Sequence, residues 1–309
     1  MEATSPQPIE IGTCPEGRKA ARQWRNNLRQ IHPLPNGRRV DDAKQDVVAS
    51  RDGSKSGLGN LYWGGSAFLL LGGPSALELD LTRLSGRGCI VMSINNAATT
   101  IRPHLWTHGD PPVKFCDSIW RDPGIIKFVP KAKLWCEIRE RKEDGSIGPA
   151  GEQVRYMPGV VSYERNTWFS PERFLSESTV NFGNSKKHAD NPHPKVLSTM
   201  FSALRLLHWL GFFRVFLVGA DFDMQAGRAY HFNEVKSSGA VQSNNIDYRK
   251  VAHLLHMLQP KFLEAGYEVY NCNPTSRLEV FPYVSYDDAI ESCTSRIEQE
   301  PVALGFDKK

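Results

Sequence analysis

Unbroken apolar runs, each closed by glycine or by small polar residues, recur along this chain. Residues 67–71 run into Gly72-Gly73-Pro74-Ser75, residues 89–94 into Asn95-Asn96, and residues 213–218 into Gly219-Ala220-Asp221-Phe222-Asp223. A run without alternation is what a strand buried on both faces requires, and parallel sheets contain such strands. Residues 105–107, 125–129, 133–138 and 267–271 predict further strands.

Between the runs the period changes to three and four. Ser75 and Glu78 stand at capping-box spacing, and Leu77, Leu81 and Leu84 then share one helical face up to Gly86 and Gly88. Residues 198–210 are apolar almost all round, with a narrow polar stripe of Ser198, Ser202 and Arg205, so this helix packs in the interior. Asp247 caps a last helix, in which Tyr248, Val251, Leu255, Leu258 and Phe262 form one stripe before Gly266. Strand, crossover and strand in this order predict an α/β fold. It is Rossmann-like, with a mainly parallel sheet, helices on both faces and right-handed crossovers.

The rest of the chain is irregular. Residues 1–60 read as a basic N-terminal arm with a flexible connector at 41–59, residues 61–290 as the Rossmann-like domain, and residues 291–309 as a tail. Residues 139–151 are charged and predict a surface loop. Residues 155–195, rich in aromatic residues, Asn, His and Pro, predict a loop-rich lid or acceptor-binding insertion.

Composition narrows the class only slightly. Of 309 residues 40% are hydrophobic and 23% charged, ordinary values for a soluble protein, and the net charge of +4 suits an anionic substrate without requiring nucleic acid. No apolar run approaches the roughly 20 residues that span a bilayer. The first residues lack the basic and apolar regions of a signal peptide, so a cytoplasmic location is expected. The six cysteines form no CxxC pair, which argues against a zinc ribbon. Oligomeric state is left open.

Ligands of open α/β sheets bind at the carboxyl ends of the strands, so the polar closures are the candidate site. Gly72, Gly73, Pro74 and Ser75 let backbone approach a ligand and lead into a helix start suited to phosphate. GxGxxG is absent, and Asn95 and Asn96 stand where an acidic residue would hold a ribose diol. Their amides read a base or a sugar hydroxyl, or cap a turn. Asp221 and Asp223, on one side of an extended chain, would share a divalent cation; alternatively Asp221 ties down its loop. His231, beside Tyr230, is a candidate general base, since an imidazole titrates near ~6.5. His104, His108 and Asp110 cluster weakly, as do His188 and His193. Asn271-Cys-Asn-Pro-Thr-Ser276 makes a third polar loop on the same edge.

Gly-Gly-Pro-Ser-x-x-Glu-Leu-Asp after a strand, then a strand ending in Asn95, resembles the start of the bacterial sialyltransferases of glycosyltransferase family 42. It also resembles the related DUF115 proteins, which include flagellin glycosylation factors and a hydroxymethylpterin pyrophosphokinase. Ser198-Thr199, Gly219-x-Asp221-Phe222, Tyr230-x-Phe232 and Asn273-Pro-Thr-Ser276 extend the likeness over residues 66–110 and 196–285. The resemblance implies a transferase that takes a cytidine-nucleotide sugar without a tightly bound metal. It implies that Asn95, Ser198 and Thr199 hold the nucleotide, that Tyr230 meets the departing phosphate, and that Asn273 and Ser276 line the pocket. Three positions depart from the pattern: Gly72 replaces an Asn, Gln242 stands where the family has its general-base His, and Asp223 replaces a Tyr.

The expected activity is a nucleotide-sugar-dependent glycosyltransferase, with His231, Tyr230 and Asp223 as the catalytic set. An ATP- and magnesium-dependent pyrophosphokinase using Asp221 and Asp223 is one alternative, and a non-catalytic nucleotide-binding module another. The acceptor is a glycan or a hydroxylated base in nucleic acid. Arg22, Trp24 and Arg25 of the arm are its candidate contacts, because basic residues meet phosphates and an interleaved aromatic stacks on a base. Otherwise the arm is a solvated segment.

Overall fold

A computed structural model describes residues 47–141, 146–225 and 237–294. An eight-stranded sheet forms its centre. We number these strands β1 (Val48–Ala49), β2 (Ser66–Leu70), β3 (Ile90–Ile94), β4 (Leu105–Thr107), β5 (Ile126–Pro130), β6 (Val160–Tyr163), β7 (Arg214–Val218) and β8 (Glu268–Asn271). Their spatial order is β1-β6-β5-β4-β3-β2-β7-β8. All neighbours are parallel except the edge strand β1, which runs antiparallel to β6. From β2 the chain builds outward to β6 and then returns to add β7 on the other side of β2. The sheet is thus α/β and Rossmann-like, and its winding reverses between β2 and β7.

The apolar runs form these strands because both faces are covered. Ala67, Leu69 and Leu71 face one layer, and Phe68 and Leu70 the other. The first layer holds helices α2 (Thr199–Trp209) and α3 (Ser238–Glu264). Every α2 residue except His208 is buried. Arg205 donates from Nη2 to the Glu177 carbonyl at 2.6 Å, and burial lowers its pKa to about 10, so the guanidinium remains charged at neutral pH. The α3 stripe also packs as its period requires: Val251, Leu255, Leu258 and Phe262 are buried, each contributing roughly 1.5–3 kcal/mol. That helix is capped by Ser237, ten positions before the expected Asp247, and residues 238–246 form its first turns, anchored by the buried Val241.

The second layer is thinner than the sequence suggested. The short helix α1 (Asp117–Arg121) and α4 (Tyr286–Thr294) lie there. The predicted helix after Gly73 is two short 3-10 turns instead, Pro74–Glu78 and Leu81–Ser85. Ser75 does not cap it: Gly73 is the N-cap, and the Ser75 side chain bonds Asp221. Leu77, expected on the buried face, is 54% exposed.

Three irregular regions are more ordered than their composition suggests. The charged stretch read as a loop forms a hairpin, Glu137–Arg141 with Ile147–Gln153. Its first strand starts where 133–138 was expected to be one continuous strand. Phe169, Phe174 and Val180, from the stretch read as a lid, are buried in the main core against α2 and α3. Val47, Val48 and Leu58, from the stretch read as a connector, are buried in the same core. Gly211 lies at φ +93, where a Cβ would sit 2.9 Å from the Trp63 backbone, so only glycine lets residues 60–64 cross the end of α2. Among the described residues no helix is long and apolar enough to cross a membrane.

Candidate functional site

The winding reversal puts β2 and β7 side by side, and their carboxyl ends open into a cleft of about 940 Å³. Crevices of this kind are where open α/β sheets bind ligands. Its floor is built from the polar closures after β2 (Gly72, Gly73), β3 (Asn95, Asn96) and β7 (Gly219 to Phe222), with Ser198 and Thr199 at the start of α2. The structure therefore gathers six of the expected nucleotide-binding residues into one cavity. Pro74, Ser75 and Asn273 instead line an adjoining hollow of about 280 Å³, with Glu78, Asp221 and Asp223. Ser276 donates its hydroxyl to the Ala220 carbonyl.

Asn95 holds three loops together. It adopts φ +48, a left-handed conformation that Asn tolerates better than most residues. Its Nδ2 donates to Thr199 Oγ1 at 3.4 Å, and its Oδ1 accepts the Gly109 amide at 3.2 Å. Its carbonyl accepts Trp106 Nε1 at 2.9 Å. One proton and one lone pair of the amide remain for a ligand.

The Gly72–Ser75 turn is occupied by the protein itself. The Gly73 amide donates to the Gly219 carbonyl at 2.9 Å, and the Ser75 amide to Asp221 Oδ2 at 3.0 Å. Asp221 Oδ1 accepts the Ser75 hydroxyl and Asn273 Nδ2. A carboxylate thus sits where a phosphate was expected, and Asp221 fastens its loop to two others. A Cβ on Gly73 would lie 2.4 Å from the Gly219 carbonyl oxygen, so close packing explains this glycine without a ligand.

Asp221 and Asp223 do not lie along an extended chain, because Phe222 between them is at φ +54. This turn sends Phe222 into the large cleft, where its ring lies 5.2 Å from that of Tyr248, while Asp223 faces the smaller hollow and accepts from Gln225 Nε2. Both oxygens of Asp221 already accept protein donors, so a cation shared with Asp223 would displace some of them. No group of three metal-ligating side chains occurs among the described residues.

The cleft carries groups that the sequence did not assign to the site. Lys114, Arg139 and Arg165 lie on the side of β4 and the hairpin, and Asn244, Asp247 and Tyr248 on the α3 wall. Lys114 pairs with Asp110 at 3.4 Å, a half-exposed contact of small value. Among the described residues Arg139 and Arg165 form no ion pair. Arg139 donates to Cys116 Sγ at 3.2 Å, and the Arg165 guanidinium lies 4.1 Å from the centre of the Phe182 ring. Phe182 in turn sits where a Cβ on Gly109 would touch it at 2.3 Å. Ser198 caps α2 by accepting the Met200 amide at 3.3 Å, so this helix N-terminus opens on the same side as the two arginines. One half of the cleft is therefore suited to anions. Arg139 was hidden in a stretch whose charge signalled only solvent exposure.

His104, His108, His188 and His193 pack within the protein. His104 Nδ1 accepts the Val91 amide, and His188 and His193 pack edge-on against Trp168 and Phe169. His108 is fully buried, stacked on Trp106 at 4.9 Å, and its Nδ1 donates to the Asp110 carbonyl at 2.8 Å. Burial pushes its pKa down to about 4. Tyr230, His231, Arg22, Trp24 and Arg25 lie outside the described residues.

No family model matches this chain, and no curated protein matches it. Among solved structures it is similar to the sialyltransferase CstII from Campylobacter jejuni in complex with a substrate analogue, cytidine-5'-monophosphate. That match has 14% identity and a TM-score of 0.39 over 72% of this chain and 86% of the other. A second structure, the sialyltransferase CST-II with trisaccharide acceptor and CMP, matches at 14% identity and a TM-score of 0.39 over 71% and 86%.

Proposed function

We propose that the protein is a nucleotide-sugar-dependent glycosyltransferase whose donor occupies the cleft between β2, β3 and α2. The observation that carries this reading is the cleft's division. One half offers a helix N-terminus with Arg139 and Arg165; the other offers Asn and Tyr side chains for a sugar and a base. In glycosyl transfer the bond from the anomeric carbon to phosphate breaks as an acceptor hydroxyl attacks, and negative charge builds on the leaving phosphate. Fixed positive groups at that oxygen stabilise the transition state more than the ground state. The phosphate belongs over Ser198, Thr199 and the arginines, since the Gly72–Ser75 amides already have acceptors.

The proton of the attacking hydroxyl needs a base. Among the described residues Asp247 is the carboxylate on the α3 wall. His231 and Tyr230 keep their proposed roles, as general base and as contact to the leaving phosphate, and Asp223 borders the adjoining hollow. The reading requires no divalent cation.

Thermal shift against a panel of nucleotides and nucleotide sugars at millimolar concentration tests it. A ligand at a hundred times its Kd stabilises by about 2.7 kcal/mol. A rise in Tm with one nucleotide sugar that persists in EDTA is expected, followed by release of the nucleotide when acceptor is supplied. No shift with any member overturns the reading, and a shift that needs ATP and magnesium together replaces it with the pyrophosphokinase.

A further inference from the structure

A cluster of buried aromatic side chains lies under the floor of the cleft, with Trp106 of β4 at its centre. Successive strand residues face opposite sides of a sheet. Leu105 belongs to the layer of α2 and α3, so Trp106 points to the other layer and has no surface in the cleft. Phe115 and Trp120 meet its ring edge-on at 5.1 and 4.9 Å, and the His108 ring stacks on it with 21° between the planes. The indole N–H nevertheless reaches the cleft, since it donates to the carbonyl of Asn95, the first residue after β3.

Asn95 is held a second time by the loop that follows Trp106. His108 pins that loop through its bond to the Asp110 carbonyl, and the Gly109 amide donates to Asn95 Oδ1. A backbone N–H can only donate, so Oδ1 must face Gly109 and Nδ2 must face Thr199, whose Oγ1 accepts it. The orientation of the Asn95 amide is thereby fixed. Its backbone, at φ +48, is in a region that few residues other than glycine enter. Such conformations persist where the surroundings over-determine them. Here Trp106 constrains the main chain, while Gly109 and Thr199 constrain the side chain.

We infer that Trp106 is a positioning residue for the cleft: its N–H fixes the left-handed turn at Asn95 and so presents the Asn95 amide to the bound nucleotide in one orientation. The inference rests on the glycosyltransferase reading for the identity of the ligand, but not for the coupling of Trp106 to Asn95. Packing alone does not call for an indole. Phe115 fills the same cluster with a ring that bears no donor, and a buried N–H is costly unless it finds an acceptor. The acceptor of Trp106 is the main chain of a cleft residue. Trp120 is the contrast. It is equally buried in the same cluster, but its Nε1 donates to the Pro112 carbonyl at 3.4 Å and not to the closure after β3.

Trp106→Phe and Trp120→Phe each keep a ring and remove one indole N–H, so both should lower Tm and their difference isolates the bond to Asn95. Hydrogen exchange at the Gly109 amide of the ligand-free full chain tests the coupling without any ligand. Exchange there should quicken severalfold in Trp106→Phe, because the acceptor Asn95 Oδ1 is no longer held, and should stay unchanged in Trp120→Phe. Calorimetric titration with CMP, UDP and GDP then tests the positioning. Whichever of these the wild type binds, Trp106→Phe should bind it about tenfold more weakly, the order of one hydrogen bond, and Trp120→Phe should bind it as the wild type does. In the wild type itself that nucleotide should move the Trp106 indole N–H resonance and leave that of Trp120 in place, a measurement that stands even if a variant fails to fold. Unchanged exchange at Gly109 in Trp106→Phe overturns the inference. So does nucleotide affinity that survives Trp106→Phe or falls equally in both variants, and so does an indole resonance of Trp106 that ignores the nucleotide. A wild type that binds none of the three, while Gly109 responds to Trp106→Phe alone, keeps the coupling and loses the glycosyltransferase.

Discussion

Ser75 and Asp221 stand 146 positions apart, yet the amide and hydroxyl of the first both donate to the carboxylate of the second. The pair closes the seam where the sheet reverses its winding, and Asn273 adds a third donor at 2.9 Å. Asp221→Ala should therefore lower stability by about 2–3 kcal/mol, since it strips the acceptor from several donors at once. Unfolding in urea checks this, and the loss should be the same with magnesium or with EDTA. A loss seen only with magnesium would make Asp221 a metal ligand.

The same seam makes Gly73 intolerant. Gly73→Ala places a methyl 2.4 Å from a backbone carbonyl oxygen and 2.7 Å from Asp221 Cγ, and should cost upwards of about 2 kcal/mol or abolish soluble expression. Gly239, in the first turn of α3, has open space around its Cβ position, and Gly239→Ala should leave Tm unchanged or slightly raised. Thermal melts of the two variants provide the comparison.

His108 should give the fold a particular acid sensitivity. Its pKa is lowered to about 4 by burial, against an unfolded value near ~6.5. Below the unfolded value the unfolded chain binds the proton first, so this contribution to stability is present above pH ~6.5 and falls away as the pH drops towards 4. The full loss is roughly 3 kcal/mol. His108→Phe removes the titration while keeping an aromatic ring beside Trp106. The difference between the urea unfolding energies of the two proteins should shrink from neutral pH to pH 4.5, and a constant difference would refute the assignment.

Arg139→Ala and Arg165→Ala should weaken nucleotide-sugar binding roughly tenfold each, the order of one charge-assisted contact. Tm without ligand should change little, because neither guanidinium forms an ion pair among the described residues. Calorimetric titration of the two variants measures it.

How much of this was legible depended on the range of the interactions. The strands at 67–71, 89–94 and 213–218 could be read because burial on both faces leaves an unbroken apolar run. Helix α2 could be read because residues 198–210 are apolar almost all round. The crossover after Gly73 could not: a capping box and three leucines describe a helix, but Asp221 takes Ser75 and the chain makes 3-10 turns instead. Asn95 was picked out because polar residues end apolar strands, whereas Ser198 and Thr199 were picked out by the family resemblance alone. Arg139 and Arg165 were missed because nothing local separates a cleft arginine from a solvated one. Asp247 was read as a cap when it is a helix-wall residue of the cleft.

Asn245 grips the backbone of Met224 by both edges of its amide, accepting the Met224 N–H at 2.9 Å and donating to its carbonyl at 2.8 Å. Residues 226–236 leave just beyond this grip and rejoin the same helix at its Ser237 cap, eight residues or about 12 Å along the axis from Asn245. Both attachment points thus belong to one rigid rod and do not depend on what connects them. Doubling such a connection raises its closure entropy by only about 0.6 kcal/mol. A longer connection between these two points should therefore leave the sheet beneath them unchanged, since both ends are fixed by α3 itself.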